Sequence, residues 1–469
     1  MEASRNHKRS ENLKKTVESL SVDDKLSANA FWKLKKATSS NNHLKRPEVY
    51  KENGKITADP VEIKYEVRRE FEHRLRNRDA DHEWKDYVRT TNSLVEEMLK
   101  SEDEESPLFT LEEMKAAMAK MKDGISPDYY GMHTDIFKRS GEGMLKPLLE
   151  VFNIIRQQRK IPDSWRRVLI TMIFKNKGSH RDLEKYRGIF LTVIASKIFE
   201  RMLQGRMKTP LEKVSFFQSG SKSGKSAADN LFLLRSSIDH SKYTNKSLFV
   251  TTYDFRQAFD SLWLQDCLLV LRKLGVEKYI LKLINEMNKK AVVQIKTPHG
   301  LTEPVDVTDI VKQGGILGSP MCSATTAEYC EQNKGINVGD VSIASLAFVD
   351  DIADLSTTFQ DAVNSHHNAL SFAKRKKLQL APDKCYIMLI QPKNKAKIIP
   401  QLEIDGGIVK EVESIVYLGD VFNSKGNNDD LMADRVKRGT STMVSIQSFM
   451  RDTSFGMHTL GVFILDSAS

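Results

Sequence analysis

Two acidic signals, each set against a strongly apolar run, constrain this chain more than anything else in it: YDFRQAFD at Tyr253 to Asp260, and FVDD at Phe348 to Asp351. An ionised carboxylate at the edge of a core carries a desolvation cost unless a cation or hydrogen-bond donors meet it. Asp254 lies far along the chain from the adjacent Asp350 and Asp351, so only a fold that brings strand ends together lets them share one partner. Apolar residues on both sides of the Asp350-Asp351 pair predict a hairpin with an acidic turn, and that hairpin beside a strand at Leu248 to Phe255 would gather all three acids. Converging carboxylates imply bound metal, and magnesium, which prefers oxygen ligands and keeps several waters, is the natural ion. Two such ions about 4 Å apart activate a hydroxyl nucleophile and neutralise charge on a transferring phosphate. An isolated Asp-Asp pair is an ordinary turn. Here the pair follows the DxxxAFD signal, Gln313-Gly314 and Ser319-Pro320 in order, and that combination outweighs the turn reading.

Around these acids the pattern is of mixed helix and strand. Ile63, Val67, Phe71 and Leu75 recur at four-residue spacing in a helix that begins beyond Pro60, inside a charged stretch from Met1 to about Ser106 that reads as an extension. Asn53-Gly54 supplies turn chemistry before it. Met114, Met118 and Met121 share a face of a helix opened by Leu111, and Leu145 to Ile155 forms another, so both stripes are core. A turn at Pro162 leads to a strand at Val168 to Phe174 and a basic loop with Lys175 and Lys177, suited to phosphate. Helices follow at Leu264 to Leu274 and Tyr279 to Met287, then an alternating strand at Val292 to Lys296 and a helix after Pro320. An apolar run at Val341 to Val349, a helix bearing Val363, His366, Leu370 and Ala373, and a strand at Cys385 to Ile390 complete a split-βαβ array.

The net charge of +10 favours a polyanionic partner, nucleic acid before an acidic membrane surface. Cys267, Cys322, Cys330 and Cys385 form no CxxC pair, which argues against a zinc site and a disulfide framework. The amino end lacks the apolar core of a signal peptide and no apolar run reaches ~18 residues. The expectation is a soluble intracellular protein without a membrane partner, in nucleus or cytoplasm, with no targeting signal.

Over roughly Leu111 to Val421 the chain resembles reverse transcriptases of LINE-type (non-LTR) retrotransposons. The series Ile161-Pro162, Trp165, Tyr186-Arg187, Ile189, Leu191, Lys197 and Glu200 matches the block that precedes the palm. Phe217-Gln218, Gly220, Gly224 and Asp229 match the next fingers block, and the palm motifs follow in the family's order. The resemblance implies an α+β right-hand polymerase: a helical N-terminal extension over 1–106, fingers over 107–245, a palm over 246–421 and a partial thumb over 422–469. It implies an RNA-directed DNA polymerase that extends a DNA primer on an RNA template with dNTPs and two Mg²⁺ ions, Mn²⁺ being a substitute. Asp254, Asp350 and Asp351 are then the catalytic acids, with the Phe255 carbonyl as an extra metal ligand. Lys175, Arg187, Gln313 and Gly314 belong to the nucleotide site. Phe259 is the steric gate, whose ring beneath the sugar excludes a 2′-hydroxyl and so argues against an RNA-synthesising polymerase. Lys384 is a general acid near the leaving pyrophosphate, and Tyr417-Leu418-Gly419 is the primer grip.

The chain departs from the family's pattern at Gly188, where proline is usual after Tyr-Arg, at Ala381, where asparagine is usual, and at Gly318, an added residue before Ser319-Pro320. The fingers motif is blurred at Lys122 to Asp128, and Ser221 stands where an aromatic is usual. With neither an endonuclease before the fingers nor a cysteine-rich knuckle at the end, the expectation is a fragment of a longer element. A second function class fits as well: a nucleic-acid-binding protein that keeps the polymerase fold after losing catalysis. The intact acids favour the enzyme, whereas Gly318 and the short thumb favour the binder.

Overall fold

The computed structural model describes residues 48–75, 82–101, 106–256, 258–308, 311–312, 314–392 and 398–453. The chain divides into two compact units, 44–427 and a second formed by 1–43 with 428–469, whose described part is one helix, Asp429–Thr453. Within 44–427, seven strands and five helices position the site. The strands are β1 (Arg167–Phe174), β2 (Tyr186–Leu191), β3 (Leu248–Tyr253), β4 (Lys290–Thr297), β5 (Ser345–Phe348), β6 (Asp351–Ser356) and β7 (Tyr386–Ile390). The helices are α1 (Pro60–Leu75), α2 (Ile194–Arg206), α3 (Ala227–Tyr243), α4 (Gly318–Cys330) and α5 (Phe359–Arg375). No helix among the described residues is long and apolar enough to cross a membrane.

Strand β3 is the centre of a five-stranded sheet ordered β5, β6, β3, β7 and a short edge strand at Lys410–Glu411. Every residue of β3 is buried, and its two faces feed different cores. Leu248 and Val250 join Leu234 and Ile238 of α3, while Phe249 and Tyr253 join Ala369 and Phe372 of α5 and Met321 and Ala324 of α4. A strand covered on both faces reads as a mainly apolar run, here LFVTTY, and the aspartate just beyond its end stands out against it. The neighbours β6 and β7 both run antiparallel to β3.

A second five-stranded sheet includes β2, β1 and β4, with β1 antiparallel to β2 and parallel to β4. Helix α1 covers it. Ile63, Val67, Phe71 and Leu75 form one core with Val168, Ile170, Met172, Tyr186, Phe190 and Val293, so this helix completes the sheet's hydrophobic layer. Gly188 in β2 makes room for it: a Cβ there would stand 2.6 Å from Phe71 Cε1 and 3.1 Å from Ile170 Cγ2. Arg74, buried near the end of α1, donates to the carbonyls of Tyr186 at 2.9 Å and Leu183 at 2.7 Å, fixing the entry into β2.

Three local differences from the sequence expectation have physical reasons. The apolar run at Val341 to Val349 is two strands, because Val341–Ile343 pairs with Ile336–Val338 as a separate hairpin before β5 enters the main sheet. Helix α4 begins at Gly318, ahead of Pro320, which sits in the first turn where its missing N–H costs no intrahelical bond. The expected Leu248 to Phe255 strand ends at Tyr253, and Phe255 forms an isolated bridge with Leu380. Met114, Met118 and Met121 are all buried as expected, although the helix Leu111–Ala119 ends before Met121.

Candidate active site

The three aspartates meet at one end of the main sheet. Tyr253 of β3 pairs with Ile352 of β6, so the next residues outward, Asp254 and Asp351, face each other just past the ladder. Phe348 pairs with Asp351, which leaves Val349 and Asp350 as the two-residue turn of the β5–β6 hairpin. Partial enclosure by protein, followed by repulsion from Asp350 and Asp254, pushes the Asp351 carboxyl up to about 6, although the residue still reaches solvent. Enclosure likewise raises Asp350, with Asp254 adding repulsion and the Arg187 and Lys384 cations opposing it.

A strand-like zipper brings Lys384 to this cluster. Arg256 N donates to Gln379 O at 2.7 Å and Ala381 N donates to Asp254 O at 2.9 Å. The turn Pro382–Lys384 then carries the Lys384 Nζ to within 2.8 Å of Asp254 Oδ1. The bond from residue 381 is made by the backbone, so it does not depend on the side chain there. In this zipper the bonds run through Asp254 and Arg256 on either side of the Phe255–Leu380 bridge.

Basic residues border the acids. Arg187 is exposed on β2, close enough to act on Asp350, and Lys175 Nζ donates to Glu184 O at 2.9 Å at the end of β1. Desolvation first, then the charges of Arg74, Lys384, Arg187 and Lys185, hold the Lys175 ammonium below its ordinary range. Arg74 thus belongs to the same electropositive neighbourhood, a contribution from α1 that no motif signalled.

Gln313 lies outside the described residues, but the turn that follows it is well defined. Gly314 has φ +100°, and a Cβ there would stand 2.8 Å from Phe190 O, so the position demands glycine twice over. Glu200 of α2, buried, accepts from Ile316 N at 2.6 Å and Leu317 N at 3.3 Å. Lys312 Nζ donates to Met287 O at 2.6 Å, anchoring the residue before Gln313. The added Gly318 becomes the first residue of α4. Glu200 matched a motif, yet its part in shaping this turn was not apparent from spacing.

Phe259 lies in the short helix Ala258–Ser261, half-buried against the core. Tyr417 does not face outward: it is buried, and its hydroxyl donates to Leu346 O at 3.2 Å while accepting from Asn230 Nδ2 at 3.2 Å. Beyond it the chain turns through Leu418 at φ +48° and Gly419 at φ +91°.

All the acidic donors here are hard carboxylate oxygens whose mutual repulsion a divalent cation would relieve, so the donor set fits an oxygen-preferring ion. Among the described residues no three of His, Cys, Asp and Glu converge tightly enough to hold one ion as they stand.

A family model described as reverse transcriptase (RNA-dependent DNA polymerase) matches residues 174–422. Over 285 residues the chain is 27% identical to a probable RNA-directed DNA polymerase from transposon BS of Drosophila melanogaster, covering 57% of this chain and 31% of that protein. Over 331 residues it is 26% identical to the RNA-directed DNA polymerase from mobile element jockey of Drosophila funebris, covering 67% and 35%. Over 208 residues it is 25% identical to a Pol polyprotein from the type-1 retrotransposable element R2 of Popillia japonica, covering 42% and 34%. The chain spans about a third of the length of these relatives.

Proposed function

We infer the function from one premise: the chain belongs to the reverse transcriptase (RNA-dependent DNA polymerase) family. The reading supported best is an RNA-directed DNA polymerase of a LINE-type retrotransposon, acting inside the cell and extending a DNA primer on an RNA template. In this reading residues 107–245 are fingers, 246–421 a palm and 422–469 part of a thumb. The observation that carries it is the meeting of Asp254, Asp350 and Asp351 at one sheet end, where burial and repulsion raise two of them. A protein that only bound a polyanion would gain nothing from acids that repel phosphate.

Reverse transcriptases as a family use divalent metal ions. Asp254, Asp350, Asp351 and the Phe255 carbonyl would hold two Mg²⁺, or Mn²⁺ in their place; bound there, such ions make the primer 3′-hydroxyl a better nucleophile and offset charge on the leaving pyrophosphate. Arg187 and Lys175 hold the triphosphate as point charges beside the acids. Gln313 and Gly314 border the base and sugar, and Glu200 holds the turn that follows Gly314. Phe259 lies beneath the sugar and rejects a 2′-hydroxyl. Lys384 donates a proton towards the leaving pyrophosphate, and the Tyr417-Leu418-Gly419 turn supports the primer.

Purified protein should extend oligo(dT) on oligo(rA) with dTTP and Mg²⁺, and Asp350→Asn should lose extension by about a thousandfold or more, on the scale of losing a transition-state charge interaction. Equal extension by both proteins would remove these acids from the chemistry.

A further inference from the structure

The residue before Asp350 is held in a conformation its own side chain disfavours. Val349 has φ +60°, a left-handed backbone that a β-branched residue adopts only where its surroundings enforce it. The surroundings here are one glutamine. Gln218 Oε1 accepts from Val349 N at 2.9 Å and from Gly220 N at 2.8 Å. Gln218 Nε2 donates to Val349 O at 3.1 Å and to Thr326 Oγ1 at 2.7 Å. The side chain therefore grips both the N–H and the C=O of Val349, with two acceptances and two donations satisfied and no exposure to solvent. Its orientation is forced, because a flipped amide would set donors against the two N–H groups.

Thr326 of α4 gives the second point of the grip. Its hydroxyl accepts from Gln218, which leaves its single proton for Val349 O at 2.6 Å, nearer than Cys322 O at 3.0 Å. The backbone around Gln218 is equally fixed. Ala347 N donates to Phe217 O at 2.9 Å and Ser219 N donates to Ala347 O at 3.0 Å, so residues 217 to 219 lie along the edge strand β5. At Gly220 a Cβ would stand 2.4 Å from Val349 N, so only glycine lets this segment come so close.

We propose that Gln218, seconded by Thr326, is a positioning residue for nucleotide transfer: it holds Val349 left-handed and thereby sets where the Asp350 carboxylate stands. The proposal rests on the polymerase reading given above. Gln218 touches neither substrate nor ion and acts only through the Val349 peptide. Small displacements of a reacting group cost about 100-fold in rate.

The test measures primer extension on oligo(rA)/oligo(dT) by wild type, Asp350→Asn, Gln218→Ala, Val349→Gly and the double variant Gln218→Ala/Val349→Gly, with fold checked by circular dichroism. Gln218→Ala should lower kcat by about 100-fold with the KM for dTTP changed less than about threefold. Glycine accepts the left-handed backbone without penalty, so adding Val349→Gly to Gln218→Ala should recover at least about tenfold of that loss. A merely structural glutamine would show no such recovery. A folded Gln218→Ala with near wild-type kcat, or a double variant no better than the single one, overturns the proposal while leaving the polymerase reading intact. Wild type that fails to extend, or equals Asp350→Asn, overturns both. Should Gln218→Ala not fold, Thr326→Val, which deletes one donor to Val349 O, takes its place: a kcat loss that Val349→Gly partly restores supports the proposal, and a near wild-type kcat or no restoration overturns it.

Discussion

Lys384 Nζ stands 2.8 Å from Asp254 Oδ1, an ion pair that joins the turn before β7 to the end of β3. Both side chains are open to water, 56% and 36% exposed, so the pair contributes little to stability. Its consequence is local: the ammonium occupies a carboxylate oxygen in the proposed ion site.

Replacing Lys384 with Met should therefore let divalent ions bind Asp254 with less competition. Titrating Mg²⁺ in the primer-extension assay, we expect half-maximal activity at a several-fold lower ion concentration, and a lower maximal rate because the proposed proton donor is gone. A higher Mg²⁺ requirement would mean that the lysine assists the ion.

Ion binding should be coupled to protons. The Asp351 carboxyl lies at about 6, pushed there by enclosure and by Asp350 and Asp254, so near pH 6 the metal-free protein still holds a proton that a cation would expel. Calorimetry of Mn²⁺ binding in buffers of different ionisation enthalpy should report release of a fraction of a proton at pH 6 and none at pH 8. Equal heats in all buffers at pH 6 would contradict this.

Asp354 of β6 offers a separate pH test, away from the ions. It is wholly buried, with Oδ2 accepting from the Tyr329 hydroxyl and from Ser365 Oγ, and burial pushes it up to about 6 despite these bonds. The folded state then binds this proton more tightly than the unfolded chain, so the contribution of Asp354 to stability is full below about pH 4 and declines as pH rises to about 6. Asp354→Asn should flatten that decline and gain roughly 1–2 kcal/mol at pH 7 in urea unfolding. A variant whose stability falls with pH as steeply as wild type would place the titration elsewhere.

The packing of Phe71 on Gly188 predicts a compensating pair. Gly188→Ala should destabilise by about 1–3 kcal/mol through overpacking, and Phe71→Leu in the same chain should return part of it. A denaturation double-mutant cycle with no coupling would show that α1 yields without cost. The same contact explains why the proline usual in the family is absent at this position: its ring would meet Phe71.

What the sequence made legible was local. The four-residue recurrence of Ile63, Val67, Phe71 and Leu75, the mainly apolar β3 and the Asp350-Asp351 hairpin all follow from periodicity and turn chemistry within a few residues. The Val341 to Val349 run shows the limit, since apolar residues do not say which of two sheets they enter.

Sequence by itself determined which segments bury their side chains and that three acids end apolar strands, because side-chain polarity repeats along the chain with the geometry of helix and strand. Only the tertiary structure decided that Gln218 grips Val349, that Glu200 shapes the turn after Gly314, that Arg74 secures β2 and that Tyr417 turns inward. Those are bonds from one side chain to a distant backbone or hydroxyl, and a peptide group offers the same N–H and C=O whatever residue carries it, so nothing in the spacing of residues marks where such a bond will land.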